Sequence, residues 1–238
     1  MTKLEQLNEL FIRWRKKDVF KPNGQRGQFI PDGIVCLPEY EKAKIKVLFM
    51  LKDLDDQTPE LYYERGVCEE VLASTNAGNT WNPIAEWAYA LTTGNPEYIH
   101  ASKLGRNPFR TVAIMNLKKA SGTESAEQIR EFACNDRIEI IEEIKICDPD
   151  IILTCGRDDV FEVMKKIVVN EQYEEIPQIL FGGKMKNYGH CLEISSIINA
   201  EKPIYVVEYR HPNRSGTQGT REEHYANMLQ IRNVLFEA

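Results

Sequence analysis

Four short apolar runs constrain the fold more than any other feature of this 238-residue chain. Each run is nearly continuous, which is typical of strands that are buried on both faces of a parallel sheet. The segments between the runs are long enough to hold crossover helices. The sequence therefore predicts an α/β fold, namely a three-layer α/β/α arrangement with a central four-stranded parallel sheet. The predicted strands are residues 46–51, 111–115, 151–155 and 203–209.

Helical periodicity marks the segments around these runs. A helix over residues 3–17 is indicated by apolar side chains at helical spacing, which are Leu4, Leu7, Leu10, Phe11 and Trp14. A long amphipathic helix over residues 125–147 is predicted to bury Ile138, Ile141, Ile144 and, one place off the stripe, Ile140. Further helices are predicted over residues 82–91, 157–170 and 221–236, with a small hairpin or irregular excursion in 178–195.

Composition limits the class of protein. The chain has no internal repeat or composition break, so we expect a single domain over residues 1–238 with an N-terminal helical extension over about residues 1–30. No apolar run approaches the roughly 20 residues that cross a bilayer, and the N-terminus lacks the apolar core of a secretory signal. We therefore expect a cytoplasmic protein without membrane contact.

Charge and cysteine content exclude further classes. The net charge of −6 argues against broad nonspecific binding of nucleic acid, although it permits a local basic groove. The six cysteines include no C-x-x-C pair and no zinc-site spacing. We therefore expect reduced thiols, no metal and no other cofactor.

Polar side chains follow the predicted strands at the point where each strand ends. Asp53 follows the first strand, Asn116 follows the second, and His211 follows the fourth. Ligands of open α/β sheets bind outside the carboxyl ends of the strands, so these three side chains are predicted to converge. Each also has a purely structural alternative. Asp53 can cap a turn, Asn116 can satisfy main-chain groups, and His211 can simply begin a strand exit.

The ordered segments FMLKDLDD, VAIMNLKK, DIILTCG and VVEYRHPNRSG resemble motifs of the uracil-DNA glycosylase superfamily, from about residue 30 to the C-terminus. In that family the corresponding strands end in an acid-bearing loop, asparagine, glycine and His-Pro. The resemblance implies a uracil-DNA glycosylase-like fold. It also implies monofunctional hydrolysis of the N-glycosidic bond of uracil, or of a related deaminated base, in DNA. The four-cysteine cluster of some branches is absent, so the resemblance implies no iron–sulfur centre.

The resemblance also implies roles for individual residues. Asp53 corresponds to the carboxylate that positions water or stabilises positive charge on the sugar, with Asp55 and Asp56 as alternatives. Asn116 corresponds to the amide that reads uracil, and His211 to the histidine that hydrogen-bonds the departing base. An aromatic face would hold the flipped base. Trp81 is the first candidate for that face and Tyr63 the second, although ordinary core packing explains an aromatic residue equally well.

Basic residues near the same strand ends are candidates for gripping DNA phosphates. They are Lys118, Lys119, Arg210, Arg214 and Arg221. Arg214 lies in the loop that, in the family, presses into the minor groove. The expected partner is DNA that contains uracil or another modified base, bound by a monomer. A solvated surface remains the alternative for this basic group.

Two other functions stay open at this stage. The first is a module of the same fold that binds a base or nucleic acid without cutting it. It is favoured by Leu51 and Leu54, which occupy the neighbourhoods where the family has glycine and proline. The second is an α/β enzyme acting on a small anionic metabolite, with Lys52, Lys118 and Arg210 as anion ligands.

Overall fold

A seven-stranded sheet forms the centre of the molecule in the computed structural model. The structure describes residues 1–17, 28–52, 54, 59–73, 78–120, 125–167, 174–194, 202–213 and 219–237. The strands are β1 (Gly33–Ile34), β2 (Val47–Leu51), β3 (Val112–Asn116), β4 (Ile151–Cys155), β5 (Glu174–Ile176), β6 (Cys191–Glu193) and β7 (Tyr205–Tyr209). Their order across the sheet is β1-β3-β2-β4-β7-β6-β5.

Helices connect and cover these strands. They are α1 (Lys3–Arg15), α2 (Leu37–Lys42), α3 (Pro59–Ala73), α4 (Gly78–Thr93), α5 (Ala101–Leu104), α6 (Ala126–Asn135), α7 (Arg137–Cys147), α8 (Glu162–Ile167) and α9 (Arg221–Phe236). Short 3₁₀ helices lie at Asn107–Thr111 and Gly183–Met185, and a π-helical turn at Arg157–Phe161 leads into α8. Capping boxes on Thr2, Ser125 and Thr220 fix where α1, α6 and α9 begin, because each hydroxyl accepts an otherwise unpaired main-chain N–H.

The sheet confirms the α/β class and differs from the prediction in size and direction. Strands β3, β2, β4 and β7 are mutually parallel, with Val47 opposite Val112 on one side and Ile151 on the other. Strands β1, β6 and β5 add in antiparallel fashion, so the whole sheet is mixed rather than four-stranded and parallel. These added strands have two or three residues each, too few to show a strand pattern in the sequence.

Side chains of β2 alternate between two buried clusters, one on each face of the sheet. Leu48 and Met50 join a cluster that includes residues of α1, α6, α7 and α8. Val47, Phe49 and Leu51 join the opposite cluster, which includes residues of α3, α4 and α9. Helices therefore cover both faces, which explains why the central strands are continuous apolar runs.

The predicted helix over residues 125–147 is interrupted. It forms two helices, α6 and α7, that meet at Asp136, where the backbone leaves helical geometry (φ −104°, ψ 16°). The Asp136 carboxylate binds the Lys17 ammonium at 3.0 Å, a tertiary contact that local sequence does not reveal. The break changes which side chains face the core, so Ile140, Ile141 and Ile144 are buried while Ile138 is 73% exposed.

Two other helices also differ from their predicted extents. The predicted helix over residues 82–91 is part of the longer α4, which holds Pro83 in its interior. The segment predicted to be helical over residues 157–170 begins as a π-helical turn and continues in α8. Among the described parts of the chain, no helix is both long enough and apolar enough to cross a membrane.

The central position of β2 generates a stability prediction. Phe49 is fully buried in the middle of this strand, so Phe49→Ala should lower the free energy of unfolding by about 3–5 kcal/mol through lost burial and a cavity. The exposed Ile138 provides a matched control, and Ile138→Ala should change stability by no more than about 0.5 kcal/mol. Urea unfolding followed by circular dichroism measures both, and equal losses would contradict the assigned core.

Candidate functional site

A cavity of about 140 Å³ opens at the carboxyl ends of β2 and β3. Its lining includes Leu51, Leu54, Tyr62, Trp81, Asn116 and His211. Sites for drug-sized ligands occupy about 300–1,000 Å³, so this cavity suits a much smaller molecule. The cavity combines apolar and aromatic walls with a few polar groups, which is the usual composition of a small-molecule site.

Three of the residues singled out in the sequence meet in this cavity. Asn116 is the last residue of β3, His211 follows β7, and Trp81 lies in α4. The parallel arrangement explains the first two, because the carboxyl ends of β2, β3, β4 and β7 share one edge of the sheet. The loop after β2 contributes Leu54 to the same cavity.

Asn116 is held by a carboxylate beneath the cavity. Its side chain is buried, and its main-chain N–H donates to Asp32 Oδ2 at 2.6 Å. The side-chain Nδ2 donates to the same oxygen at 3.3 Å. The buried Oδ1 of Asn116 has no hydrogen-bond partner among the described residues. One side of this amide is therefore anchored, and the other has acceptor capacity for a ligand.

Asp32 belongs to a buried ionic cluster with Lys119 and Glu143. The Lys119 ammonium donates to Asp32 Oδ1 and lies 2.7 Å from Glu143 Oε2, and all three side chains are inaccessible to solvent. Burial lowers the pKa of Lys119, but the two carboxyl groups outweigh burial and raise it overall. Burial and the charge of Asp32 raise the pKa of Glu143 well above its usual range. These shifts favour the charged form of Lys119 and the protonated form of Glu143.

The His211 ring is oriented by its own loop. Its Nδ1 accepts the main-chain N–H of Asn213 at 3.2 Å. A nitrogen that accepts a hydrogen bond carries no proton, so the neutral ring carries its proton on Nε2. His211 is only partly buried, and Asn213 also lines the cavity. In its neutral form the ring therefore carries a donor on Nε2.

Two aromatic side chains form the wall of the cavity. Trp81 packs edge-on against Phe109, with ring centroids 6.1 Å apart. Tyr62 shares a hydrogen bond with Trp81, in which the indole N–H donates, and burial raises the pKa of Tyr62. Both Tyr62 and Tyr63, the second aromatic candidate, pack against the core, but only Tyr62 of the two lines the cavity. Adjacent helical residues point about 100° apart, so the choice depends on helix phase, which the sequence pattern left unresolved.

A close backbone contact places α3 beside the segment that carries Asp32. The helix is kinked at Gly66, whose φ of 74° favours glycine. A Cβ atom at this position would lie 2.9 Å from the carbonyl oxygen of Pro31. The next residue, Val67, donates its N–H to that same oxygen at 2.9 Å. Glycine therefore permits the approach that brings α3 against one side of the site.

The predicted acidic and minor-groove residues lie outside the described part of the chain. These residues are Asp53, Asp55, Asp56 and Arg214. Their assignments remain predictions from the resemblance. Leu54, which stands among the three acidic residues, is described and lines the cavity. At least one residue of the acidic segment, Leu54, is therefore part of the cavity wall.

The basic residues differ from the surface group that the sequence indicated. Lys118 and Arg210 are only 2% and 1% exposed, and Lys119 is occupied by its two buried carboxyl partners. Phosphate contact needs an accessible cation, so Lys118, Lys119 and Arg210 do not form a phosphate-binding surface in this conformation. Arg221 is partly exposed, but its guanidinium pairs with Glu86 at 2.9 Å. The Lys52 ammonium lies 3.9 Å from Oδ2 of Asp159, so this lysine also has an acidic neighbour.

A second buried polar cluster, which the sequence analysis missed, anchors the end of β7. The Tyr209 hydroxyl lies 2.7 Å from His224 Nδ1 and accepts from Asn227 Nδ2 at 3.1 Å. Burial raises the pKa of Tyr209, which keeps its hydroxyl protonated. Tyr209 lies two residues before His211. The cluster thus fixes the point at which the chain leaves the sheet towards the cavity.

The cysteines and the possible metal ligands were also located within the described ranges. No group of three or more His, Cys, Asp or Glu side chains there is arranged to hold a metal ion. The cysteines are free thiols, and Cys147, Cys155 and Cys191 are buried. Burial raises the pKa of Cys191 to about 12 and keeps that thiol protonated.

Comparison with known proteins gives no match to any protein-family model and no significant match to a curated protein. Function is therefore inferred from the residues of the cavity and their environment.

The ionic cluster predicts a specific pH dependence of stability. Between pH 4.5, the usual pKa of glutamic acid, and the raised pKa of Glu143, the folded state binds one more proton than the unfolded state. The stabilisation that Glu143 gives to the folded state is therefore fully present below about pH 4.5. It is lost as the pH rises through the pKa of Glu143 in the folded protein. In Glu143→Gln this titration is absent. Relative to wild type, the variant should gain stability with rising pH, by up to about 1.4 kcal/mol per pH unit.

Urea unfolding of both proteins at several pH values between 5 and 8 measures this difference. The matched control is Glu142→Gln, a neighbouring surface residue of α7 that pairs with Arg13. Its stability difference from wild type should be small and nearly independent of pH. A pH-independent difference for Glu143→Gln would show that Glu143 is not protonated in the folded protein.

Proposed function

We propose that this protein is a monofunctional glycosylase of the uracil-DNA glycosylase type, which releases uracil or a related deaminated base from DNA. The observation that carries the proposal is that Asn116, His211 and Trp81 line one small cavity. The resemblance assigns Asn116 to reading the base and His211 to its release, and Trp81 is the candidate for stacking on it. The meeting of Asn116 and His211 was an expectation from strand order, and a structural role for each residue alone does not require it.

The amide of Asn116 has the groups needed for the edge of uracil. Its Oδ1 accepts from the N3–H of the base, and the second Nδ2 hydrogen donates to O4. The small cavity and the Trp81 ring suit a single planar ring that has left the base stack. Stacking on an aromatic face adds affinity without distinguishing between bases.

The reaction separates charge, and the proposed groups act at both ends. Water attacks C1′ of the deoxyribose while the N-glycosidic bond breaks, and the bonding electron pair leaves with N1 of the base. The Nε2–H of His211 donates to the base oxygen on which negative charge develops. Asp53, or Asp55 or Asp56 in its place, stabilises positive charge on the sugar and orients the water. The proton that the water loses is taken up by the departing base, so the products are the neutral free base and an abasic site.

A base-binding module without catalysis is the second candidate, and the burial of the basic residues favours it. With Lys118, Lys119 and Arg210 buried, the described part of the cavity rim offers little cationic surface for a DNA backbone. The same burial removes support from the anionic-metabolite enzyme, because two of its three proposed anion ligands are inaccessible. A binding module needs the cavity and Asn116 but not the acidic loop.

Base release from single- and double-stranded oligonucleotides containing one uracil tests the proposal. Wild type should release uracil, and His211→Ala should lower kcat by about 10²–10³-fold, the usual loss for a donor at developing negative charge. Asn116→Ala should lower kcat/KM as well, because the base loses its reading group.

His190→Ala is the matched control, because this exposed histidine lies outside the cavity. It should release uracil at the wild-type rate. If wild type binds uracil-containing DNA without releasing the base, the binding module is supported. If it neither binds nor cleaves such DNA, both candidates are wrong.

A further inference from the structure

Asp32 contacts the reading amide without lining the cavity. The main-chain N–H and the side-chain NH₂ of Asn116 both donate to the same carboxylate oxygen of Asp32. Asp32 itself has no exposed side-chain area. Its effect on a ligand must therefore pass through Asn116.

The chemistry of a carboxylate fixes which end of the amide enters the cavity. An ionised carboxylate only accepts hydrogen bonds, so the group that faces Asp32 must be the NH₂ of Asn116. Rotation of the amide by 180° would put Oδ1 at about the same position and set two acceptors against each other. The buried Oδ1, which has no partner among the described residues, consequently faces away from Asp32.

Lys119 and Glu143 keep Asp32 in this acceptor role. Lys119 provides a buried positive charge on the other oxygen of Asp32. The raised pKa of Glu143 favours its protonated form, and in that form its hydrogen bond with Asp32 supplies a donor rather than a competing negative charge. Lys119 packs over the rings of Trp14 and Phe11, at 5.2 and 5.7 Å from their centroids. These two rings therefore help to hold the Lys119 ammonium in place.

We infer that Asp32 determines the base preference of the cavity by locking the Asn116 amide with its oxygen towards the ligand. This inference rests on the proposed function. The locked amide accepts from a ring N–H beside a carbonyl, which uracil and other deaminated bases present. Cytosine presents a ring nitrogen acceptor and an amino donor at the corresponding positions. Its ring nitrogen would therefore face the acceptor Oδ1 of Asn116, and its amino group would face the donor Nδ2. Asp32 is a positioning residue, since it touches no part of the base.

The experiment compares uracil with cytosine as the released base. Asp32→Asn keeps the size of the side chain, but its own amide can present either a donor or an acceptor to Asn116. The lock is then lost, and kcat/KM for uracil should fall by about tenfold, the effect of one hydrogen bond. The ratio of kcat/KM for uracil to that for cytosine should fall by at least the same factor. A general loss of stability would lower both rates together and leave this ratio unchanged.

Glu142→Gln is the matched control, because this neighbouring carboxylate of α7 pairs with Arg13 outside the buried cluster. It leaves the buried cluster and its contact with Asn116 in place, so its uracil-to-cytosine ratio should equal that of wild type. If Asp32→Asn does not fold, hydrogen exchange in wild type provides a second test. One side-chain amide proton of Asn116 should exchange at least a hundredfold more slowly than those of the exposed Asn213.

The outcomes separate this inference from the proposed function. Wild-type release of uracil together with an unchanged base ratio in Asp32→Asn would overturn the inference alone. Rapid exchange of both Asn116 side-chain protons would do the same. A wild-type protein that neither releases nor binds uracil would overturn the proposed function and the inference with it.

Discussion

The contact between Asp32 and Asn116 joins the buried charge of the protein to its candidate site. A buried carboxylate is tolerated only with close partners, and losing one partner of such a pair costs about 3–5 kcal/mol. Here the partners come from distant segments, because Asp32 precedes β1, Lys119 follows β3, and Glu143 lies in α7. The same carboxylate also holds the last residue of β3. The carboxylate that pairs with the buried lysine therefore also holds the end of β3 and orients the amide.

The cavity depends equally on where the parallel strands end. Four parallel strands place their carboxyl ends at one edge, where polar side chains can converge without disturbing the apolar runs behind them. At the end of β3, Asp32 secures Asn116 through two hydrogen bonds. The β7 side is secured by the buried hydroxyl of Tyr209, which binds His224 and Asn227 of α9. Two buried polar networks thus secure the strand ends that carry Asn116 and His211, as a preorganised site requires.

The local sequence pattern predicted the strands and helices whose apolar residues are buried in the core. The four central strands are continuous apolar runs, and α9 spans the predicted residues 221–236. The same pattern failed where distant contacts decide, as at Asp136, whose ion pair with Lys17 accompanies a break between two helices. For the site, the strand-end rule brought Asn116 and His211 together, but no motif marks Asp32. Lys119 reads as a surface cation until its two carboxyl partners are known, because both are far away in sequence.

A crystal structure of the protein with free uracil tests the central claim most directly, because it shows which atoms of the base meet the locked amide. The arrangement of Asp32, Asn116 and His211 predicts a base stacked on Trp81, with its N3 within hydrogen-bond distance of Asn116 Oδ1 and a ring carbonyl facing His211 Nε2. Uracil bound away from this cavity would contradict the assignment. Uracil bound inside it with the Asn116 oxygen turned towards Asp32 would contradict the lock.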